Sequence, residues 1–438
     1  MLKKTVLVSS LSGLRSALAA AKGGEIIELT QGSYGNLDLG RYQFDDPVTI
    51  KGGTFSSVAL RAVKGIHLDG AQVNVPASAM VDSNSQAVRI WGSSDVAFIN
   101  SRVVGGLATN GVSQSSRVLD GTGNVIGLPA GVGVYVGFSS NITVANSDIS
   151  LFHKGVLMYG GDNITIANNK IHDLRTTPIS GTVPNNLTIT GNHTWNSTPW
   201  NYGADGDHGD RIHIWTNKTP TSGLVITNNV LEQGTGAPML GILIDDLSNN
   251  LGFNDVVITG NRLVDGHHLG ITLANVSGGV LTNNTLTWSG SGTLANNAPQ
   301  IYVKDNSNAL YISGNIAPLW LGDGTSDVQV INHTGITKEA TTLTAEQRDS
   351  ISFDFKVVTT SSTAKLSEGV SDLTFVGSGD FSGTGNRLAN RITGGSGNDV
   401  LVGDGGADIL NGGLGNDSYY IDNTAQTIID SGGVDTIY

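Results

Sequence analysis

The sequence predicts an all-β protein in which a right-handed parallel β-helix with an N-terminal capping helix is followed by a smaller parallel β-roll. Three observations predict this architecture: a strand-and-corner phrase that repeats along the body of the chain, a column of asparagines at one place in that phrase, and a run of glycine-rich nonapeptides near the end. Repeats of this kind indicate stacked units, because each unit is too small to bury its own apolar face.

A short strand closed by a polar corner recurs through the body of the chain. The copies are N-I-T-V-A-N-S-D-I from Asn141, N-I-T-I-A-N-N-K-I from Asn163, N-L-T-I-T-G-N-H-T from Asn186, G-L-V-I-T-N-N-V-L from Gly223, D-V-V-I-T-G-N-R-L from Asp255, a shortened G-V-L-T-N-N-T-L from Gly279 and A-L-Y-I-S-G-N-I-A from Ala309. Apolar and polar residues alternate in each copy, as in a strand with one buried face. A β-sandwich with Asn-rich turns is the alternative, but its corners would not repeat so regularly.

One asparagine falls at the same place in successive copies. These residues are Asn169, Asn192, Asn229, Asn261, Asn284 and Asn315. Stacked amides can hydrogen-bond along a ladder, and asparagine tolerates the left-handed backbone conformation of a sharp corner. Near the N-terminus, the segment Leu11 to Ala20 has helical spacing, and we expect it to cap the open end of the β-helix.

From Gly394 the chain changes to three consecutive nonapeptides, G-G-S-G-N-D-V-L-V, G-D-G-G-A-D-I-L-N and G-G-L-G-N-D-S-Y-Y. They follow the form G-G-x-G-x-D-x-U-x, and this segment resembles the calcium-binding repeats of RTX proteins. Glycine permits tight turns, and aspartate supplies the hard oxygen ligands that Ca²⁺ prefers. The predicted cofactor is Ca²⁺. The predicted metal-site residues are Asp399, Asp408, Asp417, Gly394, Ser396, Gly403, Gly405, Gly412 and Leu414.

These patterns divide the chain into a β-helix catalytic domain at residues 1–338, a Thr/Ser-rich junction at 339–384 and an RTX β-roll at 385–438. The RTX resemblance implies export by the type I secretion machinery of a Gram-negative bacterium, and hence an extracellular protein. The last residues read as the middle of an RTX phrase, and we expect the natural chain to continue beyond Tyr438.

The composition excludes several functional classes. Lys plus Arg number 24 against 37 Asp plus Glu, giving a net charge of -13, so the chain lacks the basic character of a nucleic-acid-binding protein. No stretch approaches the roughly 18 consecutive apolar residues of a membrane helix. The absence of cysteine excludes disulfides, thiolate metal sites and cysteine nucleophiles. We expect a monomer that binds neither nucleic acid nor membrane.

A second strand series lies upstream of most copies and predicts an outer face rich in polar and aromatic side chains. Its inward positions are Val134, Val156, Ile212, Ile242, Ile271 and Ile301. Side chains alternate along a strand, so the neighbouring residues point outward. The outward residues interpreted as substrate-binding are Tyr135, Tyr159, Trp215, Asp245, Tyr302 and Lys304. Lys154, His267 and His268 enter the series at its turns, and together these residues predict a substrate groove.

The densest group of ionisable side chains lies just before and within one of these strands. The candidate catalytic residues are Tyr202, Asp205, Asp207, His208, Asp210, Arg211 and His213. By alternation, Arg211 and His213 are expected on the same outer face, about 7 Å apart along the strand. Asp245 is expected beside Trp215 on the next strand.

This cluster suits proton abstraction beside a uronate carboxylate. That reaction needs a cation at the carboxylate, a base for the C5 proton and an acid. Arg211 would bind the carboxylate, and His208 or His213 would be the base. The residues that would return a proton are Tyr202, Tyr135 or Lys154.

Two other readings of the cluster stay open. Hydrolysis by paired carboxylates would use Asp210 with Asp245 or Asp246, at a separation that the sequence does not give. A protein without catalysis would use the same face to bind carbohydrate.

A β-helix followed by RTX repeats resembles the secreted alginate C5-epimerases, which carry the motif Tyr-Gly-Phe-Asp-Pro-His-Glu. This chain has Tyr-Gly-Ala-Asp-Gly-Asp-His-Gly from Tyr202, with one extra residue before the histidine and neither the Pro nor the Glu. On that match Tyr202, Asp205 and His208 would carry catalytic roles. The opening segment, with Gly-Ser-Tyr-Gly from Gly32, is more similar to β-helical lyases of the chondroitinase B and alginate lyase type. These imply a Lys or Arg base and acid, with calcium at the carboxylate.

The sequence therefore predicts a secreted, calcium-dependent enzyme acting on an acidic polysaccharide. β-Elimination is the first choice, and C5 epimerisation is the alternative.

Overall fold

In the residues that it describes, the computed structural model is almost entirely β, with one α-helix and strands β1 to β45 numbered along the chain. It describes residues 4–76, 85–106, 131–199, 209–246, 251–290, 298–331, 333, 337–339, 351–353, 357–360, 362–366, 372–375, 378–386, 390–405, 408–421 and 426–438. The chain divides into two compact units. The first unit comprises Met1–Phe253, Gly260–Leu273 and Thr285–Tyr302, and the second comprises Asn254–Thr259, Ala274–Asn284 and Val303–Tyr438.

The first unit begins with the predicted capping helix, α1, over Leu11–Ala20. Its N-cap is Ser10, whose side chain accepts a hydrogen bond from the backbone N–H of Gly13 and so satisfies one of the donors left unpaired at a helix start. Leu14 and Leu18, one helical turn apart, are buried. The sequence prediction for this helix is confirmed.

The first unit contains three parallel sheets, and from β4 onward successive coils contribute strands to all three sheets. Sheet 1 contains β1 (Thr5–Val8), β2 (Ile26–Leu29), β4 (Gln43–Lys51), β7 (Lys64–Asp69), β10 (Ser94–Ile99), β13 (Ser140–Ala145), β16 (Asp162–Ala167), β19 (Asn185–Thr190) and β22 (Thr221–Thr227). Sheet 2 contains β5 (Thr54–Phe55), β8 (Gln72–Asn74), β11 (Arg102–Val104), β14 (Asp148–Ser150), β17 (Lys170–His172), β20 (His193–Trp195), β23 (Val230–Glu232), β26 (Arg262–Asp265) and β29 (Thr285–Trp288). Sheet 3 contains β3 (Asn36–Gly40), β6 (Ser57–Arg61), β9 (Gln86–Trp91), β12 (Val132–Gly137), β15 (Lys154–Tyr159), β18 (Ile179–Thr182), β21 (Asp210–Trp215), β24 (Leu240–Asp245) and β27 (Leu269–Ala274). The predicted right-handed parallel β-helix is confirmed.

The second unit contains further parallel strands. These are β25 (Phe253–Thr259), whose first residue belongs to the first unit, β28 (Val276–Thr282), β31 (Asn308–Ser313), β33 (Ser326–Ile331) and β35 (Ile351–Phe353), together with β32 (Leu319–Leu321) and β34 (Thr337–Glu339). Strand β30 (Gln300–Lys304) is divided between the units: its residues up to Tyr302 belong to the first, and those from Val303 belong to the second. The roll at its end has two sheets. Sheet 4 contains β36 (Val357–Thr360), β38 (Asp372–Phe375), β40 (Arg391–Gly395), β42 (Ile409–Gly413) and β44 (Thr427–Ile429). Sheet 5 contains β37 (Ala364–Lys365), β39 (Ser382–Thr384), β41 (Val400–Val402), β43 (Ser418–Tyr420) and β45 (Thr436–Ile437).

The core of the first unit is built from aligned apolar columns. In sheet 3 the register places five of the predicted inward residues in one column, which also contains Ile179: Val134, Val156, Ile179, Ile212, Ile242 and Ile271. All of them are buried. In the roll, Leu401, Leu410 and Tyr419, at the apolar position of each nonapeptide, are likewise fully buried.

The predicted asparagine ladder is present. In the first unit, the Nδ2 of Asn169 donates to the Oδ1 of Asn192 at 3.0 Å, and the same bond links Asn192 to Asn229 and Asn229 to Asn261. In the second unit, Asn284 donates to Asn315 at 2.9 Å. The predicted left-handed conformation, however, falls on the residue before each ladder asparagine. These residues are Asn168, Gly191, Asn228, Gly260, Asn283 and Gly314. The preceding residue makes the corner, and this leaves the ladder amide pointing into the coil.

Candidate functional site

Strand β21 carries an aspartate and a histidine that contact each other. The Oδ2 of Asp210 lies 3.2 Å from the Nδ1 of His213, three residues along the strand. Ile212 and Ile214 are buried, so His213 faces the outside of sheet 3, where its side chain is 14% exposed, whereas Asp210 is fully buried. A carboxylate at Nδ1 holds the imidazole in the tautomer whose lone pair is on Nε2. The Asp–His pair therefore orients Nε2 as the basic atom, and this atom is itself buried among the described residues.

The neighbours of His213 on sheet 3 come from β18 and β24. Ser180 on β18 and Leu243 on β24 are its direct register partners. The ring of Trp215 lies edge-on to the His213 ring, with centroids 5.0 Å apart. Trp215 pairs with Asp245 on the next strand, which confirms the predicted placement of those two residues.

Arg211 does not lie on this outer face, and the prediction that it projects beside His213 is wrong. Its Nη2 is 2.8 Å from the Oδ2 of Asp265 on β26, and both side chains are 0% exposed. The register of β21 with β24 places Arg211 in the same column as Gly241. A Cβ at Gly241 would lie 2.7 Å from the side chain of Leu263 in sheet 2. Residues in this column therefore face sheet 2, and Arg211 extends inward and cannot bind a substrate carboxylate.

Further along sheet 3 lies an aromatic surface formed by Trp91, Tyr135, Phe138 and Tyr159. Trp91 stacks on Tyr135 with centroids 6.0 Å apart, and Phe138 meets Trp91 and Tyr159 edge-on at 4.9 and 5.5 Å. Phe138 is 54% exposed and has a φ of 47°, a strained conformation for a bulky residue. The guanidinium of Arg89 lies 4.9 Å from the centroid of the Trp91 ring.

Two tyrosines of this surface have defined surroundings. The Asn217 amide donates to the hydroxyl of Tyr159 at 2.5 Å, which directs Tyr159 toward the end of β21. Burial raises the pKa of the Tyr135 hydroxyl. The charge of Arg89 partly opposes this effect, and the nearby Tyr159 adds a smaller increase. The register places Tyr135 three strands from His213, about 14 Å at the usual strand spacing. Tyr135 is thus too far from His213 for the two side chains to act on the same bond, and its predicted role as the residue that returns the proton is not supported.

The other predicted substrate-binding residues have these positions. Lys154 is the half-buried first residue of β15. His267 and His268 stack on each other immediately before β27, with centroids 4.6 Å apart. Tyr302 lies on β30 in the first unit, whereas Lys304 belongs to the second unit and pairs with Asp305 at 2.6 Å.

Four candidate catalytic residues lie outside the described residues. They are Tyr202, Asp205, Asp207 and His208. Their predicted roles stay predictions.

Sequence reasoning missed a second polar cluster, on the outer face of sheet 2. The Trp195 ring lies between His172 and His193, with centroids 4.3 and 4.4 Å away. The Nε2 of His193 lies 2.9 Å from Glu232, and the Nδ1 of His172 lies 2.6 Å from Asp173. The alternation of His193, Thr194 and Trp195 indicated two outward-facing rings on one strand. Strands β20 and β17 are only three residues long, however, and a periodic pattern is hard to recognise over that length. Each histidine contacts both the Trp195 ring and a carboxylate, and these contacts account for its position without a ligand.

In the roll, two of the predicted calcium ligands have a carboxylate oxygen suited to a cation. The Oδ2 atoms of Asp399 and Asp417 are buried and have no hydrogen-bond partner among the described residues. Burial raises the pKa of the Asp399 carboxyl, and burial together with the charges of nearby aspartates raises the pKa of Asp417 to about 6. Buried carboxylate oxygens without a hydrogen-bond donor, such as these two Oδ2 atoms, fit a hard divalent cation.

The remaining predicted metal-site residues lie around these turns. Gly394, Gly403 and Gly412 are buried, Gly405 has a φ of 118°, and Ser396 and Leu414 are exposed. Backbone carbonyls of such turns are available as calcium ligands.

No helix within the described ranges is long and apolar enough to cross a bilayer.

Two family models match the chain. The model described as right-handed beta helix region matches residues 41–217 and 106–317, and the RTX calcium-binding nonapeptide repeat model matches residues 384–419. The RTX repeats indicate Ca²⁺ binding. No curated protein sequence matches the chain.

Several solved structures are similar to the chain at low sequence identity. The Dettilon tailspike protein gp208 is 13% identical with a TM-score of 0.41, and the match covers 75% of this chain and 64% of the tailspike, less than two thirds of its length. Pectate lyase Pel9A is 12% identical with a TM-score of 0.36, covering 74% and 79% of the two chains. A variant of the PL6 family alginate lyase AlyGC is also 12% identical with a TM-score of 0.36, covering 99% and 73%.

Proposed function

Because this chain belongs to the right-handed β-helix family and ends in RTX calcium-binding repeats, we propose that it is a secreted, calcium-dependent lyase. Its proposed substrate is a uronate-containing acidic polysaccharide of the alginate type, cleaved by β-elimination. The observation that supports this most directly is the contact between Asp210 and His213 on the outer face of sheet 3.

In the proposed reaction His213 is the base. Its Nε2 takes the C5 proton of a uronate ring, and the C–H electron pair forms the C4–C5 double bond. The C4–O4 bond breaks, and its electron pair stays on the glycosidic oxygen, which takes up a proton. Asp210 stabilises the imidazolium formed in the first step, since its Oδ2 lies 3.2 Å from Nδ1. Imidazole suits proton abstraction near neutral pH.

The positions of the acidic residues favour proton abstraction over hydrolysis. Asp210 is fully buried against His213. Asp246 accepts hydrogen bonds from the Thr216 hydroxyl and, at 3.0 Å, from the backbone N–H of Gly252. Hydrolysis needs two carboxyl groups that reach the same glycosidic bond. Of the three acidic residues proposed for it, Asp245 is the one that lies on the outer face of sheet 3.

With Arg211 buried, Lys154 becomes the proposed cation for the substrate carboxylate. The registers of β15, β18 and β21 place Lys154 in the column of Asp210, two strands away, about 10 Å. A lysine side chain spans much of that distance. The aromatic surface would then contact sugar rings farther along the polysaccharide, as aromatic side chains do in ligand sites.

Epimerisation at C5 is the second candidate, and the Tyr-Gly-x-Asp segment at Tyr202 favours it. It begins with the same proton abstraction. The ring is then reprotonated from the opposite face, and C4–O4 stays intact. The RTX repeats support secretion and calcium dependence for either reaction, and bound Ca²⁺ would neutralise the carboxylates of the roll.

The test follows products from mannuronan, polyguluronate and pectate with the full chain in calcium. A lyase raises ultraviolet absorbance as the double bond forms. Deuterium uptake at C5 without new chain ends would establish the epimerase. New reducing ends without absorbance would establish a hydrolase, and no change on any glycan would leave a binding protein. His213→Ala should abolish turnover, whereas the control His193→Ala, on sheet 2, should not.

A further inference from the structure

The repeats predict equivalent metal ligands at both edges of the roll, but the structure makes these two edges different. Residues 18 apart stack along each edge. Asp399, Asp417 and Asp435 form one column, which we call the aspartate edge. Asn390, Asp408 and Gln426 form the other, which we call the amide edge.

Along the aspartate edge, each carboxylate uses one oxygen to hold the adjacent turn. The Oδ1 atoms of Asp399, Asp417 and Asp435 accept hydrogen bonds of 2.7 to 2.9 Å from the backbone N–H groups of Phe381, Asp399 and Asp417. The Oδ2 atoms of Asp399 and Asp417 are the buried oxygens without a hydrogen-bond partner in the described chain. Both residues are 1% exposed.

These two oxygens point at the turn glycines. A Cβ at Gly394 would lie 2.3 Å from the Oδ2 of Asp399, and one at Gly412 would lie 2.0 Å from the Oδ2 of Asp417. Glycine keeps both turns free of its own side chain. The Tyr419 hydroxyl also lies 2.1 Å from the Cβ position of Gly412, but it donates to Asp430 and leaves the Oδ2 of Asp417 without a partner in the described chain. Near Gly412, oxygens of Asp417, Asp430 and Asp435 all lie within 4.8 Å of one another. Three carboxylates this close repel one another unless a cation lies among them.

Along the amide edge, the corresponding space is filled by a hydrogen-bond donor. The Oδ1 of Asp408 accepts from the backbone N–H of Asn390 at 2.8 Å, as on the aspartate edge. Its Oδ2, however, accepts from the Nε2 of Gln426 at 2.6 Å. A Cβ at Gly403 would lie 2.1 Å from that same Nε2. The glutamine amide thus occupies the position that a cation would need, and it satisfies Asp408 without one.

We propose that the roll binds Ca²⁺ along its aspartate edge only. Asp399 and Asp417 are the central ligands, Asp430 adds a ligand beside Asp417 and Asp435, and the amide edge is held by side-chain hydrogen bonds in place of metal. Asp408, Gly403 and Gly405, which the repeat pattern predicts as metal-site residues, then have a structural role. This inference uses the RTX repeats alone and does not depend on the proposed lyase.

The experiment measures calcium stoichiometry and affinity of the full chain by native mass spectrometry and isothermal titration calorimetry. Asp417→Asn should lose at least one ion. The matched variant Asp408→Asn makes the same change on the amide edge and should keep the wild-type stoichiometry, with affinity within about twofold. Equal losses in the two variants would overturn the proposal.

Two further variants keep the test decisive if Asp417→Asn does not fold. Asp430 is exposed, so Asp430→Asn should fold normally and weaken one site about tenfold or more, because ligand charge sets calcium affinity. Gln426→Asp removes the amide donor and supplies a carboxylate, so it should add one ion on the amide edge. Unchanged affinity in Asp430→Asn, or unchanged stoichiometry in Gln426→Asp, would each contradict the assignment.

Discussion

Arg211 and Asp265, 54 residues apart in the chain, form an ion pair inside the β-helix in which neither side chain reaches solvent. Burial lowers the pKa of the Arg211 guanidinium from its ordinary value, and the Asp265 carboxylate opposes that effect. Asp265 also accepts hydrogen bonds from the backbone N–H groups of Met239 and Gly266, at 2.9 and 2.7 Å. The pair joins β21, which carries His213, to β26.

Removing one member of this pair should cost stability. Arg211→Met leaves the Asp265 carboxylate buried without its cation, and we expect a loss of about 3–5 kcal/mol in the free energy of unfolding. Urea denaturation of the full chain measures it. Arg102→Met, at an exposed position on sheet 2, is the control and should change stability by less than about 0.5 kcal/mol. A stable Arg211→Met protein that has lost only activity would restore the substrate-binding role.

The Asp210–His213 contact predicts graded losses of activity. His213→Ala removes the proposed base and should lower kcat by about 10² to 10⁴-fold. Asp210→Asn keeps the imidazole but removes the charge that orients it, and should lower kcat by about 10 to 100-fold with little change in KM. Steady-state kinetics on whichever glycan the product assay identifies as the substrate measures both effects. Full activity in Asp210→Asn would show that His213 acts without it.

Phe138 should contribute to substrate binding at the expense of backbone strain. Phe138→Gly relieves the left-handed conformation, which costs a non-glycine residue about 1 kcal/mol, whereas Phe138→Ala keeps the strain. Both variants lose the exposed ring, so both should raise KM for long oligosaccharides about three- to tenfold without changing kcat.

The two Phe138 variants separate binding from stability. Thermal unfolding should show Phe138→Gly as the more stable of the two. Equal KM values for wild type and both variants would remove the aromatic surface from the substrate site.

The asparagine ladder predicts a large stability loss at a single amide. Asn229 donates to the carbonyl oxygen of Ile189 and to Asn261, and it accepts from the backbone N–H of Asn192, all at 2.9 Å. Asn229→Ala should therefore destabilise the protein by about 2–4 kcal/mol in chemical denaturation, because buried partners lose their hydrogen bonds.

The control for the ladder is an exposed asparagine. Asn163 also lies in a ladder of amides, but on the surface and with a φ of 55°. Asn163→Gly keeps that conformation and should cost less than about 1 kcal/mol. Similar losses at the two positions would show that burial does not determine the contribution of the ladder.

Glu232 predicts an acid dependence of stability. The hydrogen bond from Arg262, followed by that from His193, lowers the pKa of the Glu232 carboxyl below its ordinary 4.5. A lowered folded-state pKa stabilises the protein above the unfolded pKa, and that stability is lost as the pH falls through the folded value. Below about pH 4.5 the wild type should therefore lose more stability than Glu232→Gln.

The expected Glu232 difference is small, below about 1 kcal/mol, because both partners are partly exposed. Denaturation midpoints at pH 7 and pH 3.5 measure it. A larger acid loss in Glu232→Gln than in the wild type would contradict the assignment.

Much of the fold could be predicted because a β-helix repeats its own contacts. The inward column of Val134, Val156, Ile212, Ile242 and Ile271 follows from alternation within each strand, and the ladder follows from one asparagine per coil. The pairing of Trp215 with Asp245 also follows from the repeat. In these cases neighbours in space are equivalent positions in the sequence.

The sequence by itself therefore determined the β-helix, the roll, the capping helix and the position of His213 on the outer face. The tertiary structure decided which polar groups are already satisfied. Alternation places Arg211 outward, but its column faces sheet 2, where Asp265 binds it. The nonapeptide pattern makes Asp399, Asp408 and Asp417 equivalent, but Gln426 fills the space beside Asp408. The physical reason is common to both: the partner that fixes a polar side chain comes from another coil or turn, and a local pattern does not contain that partner.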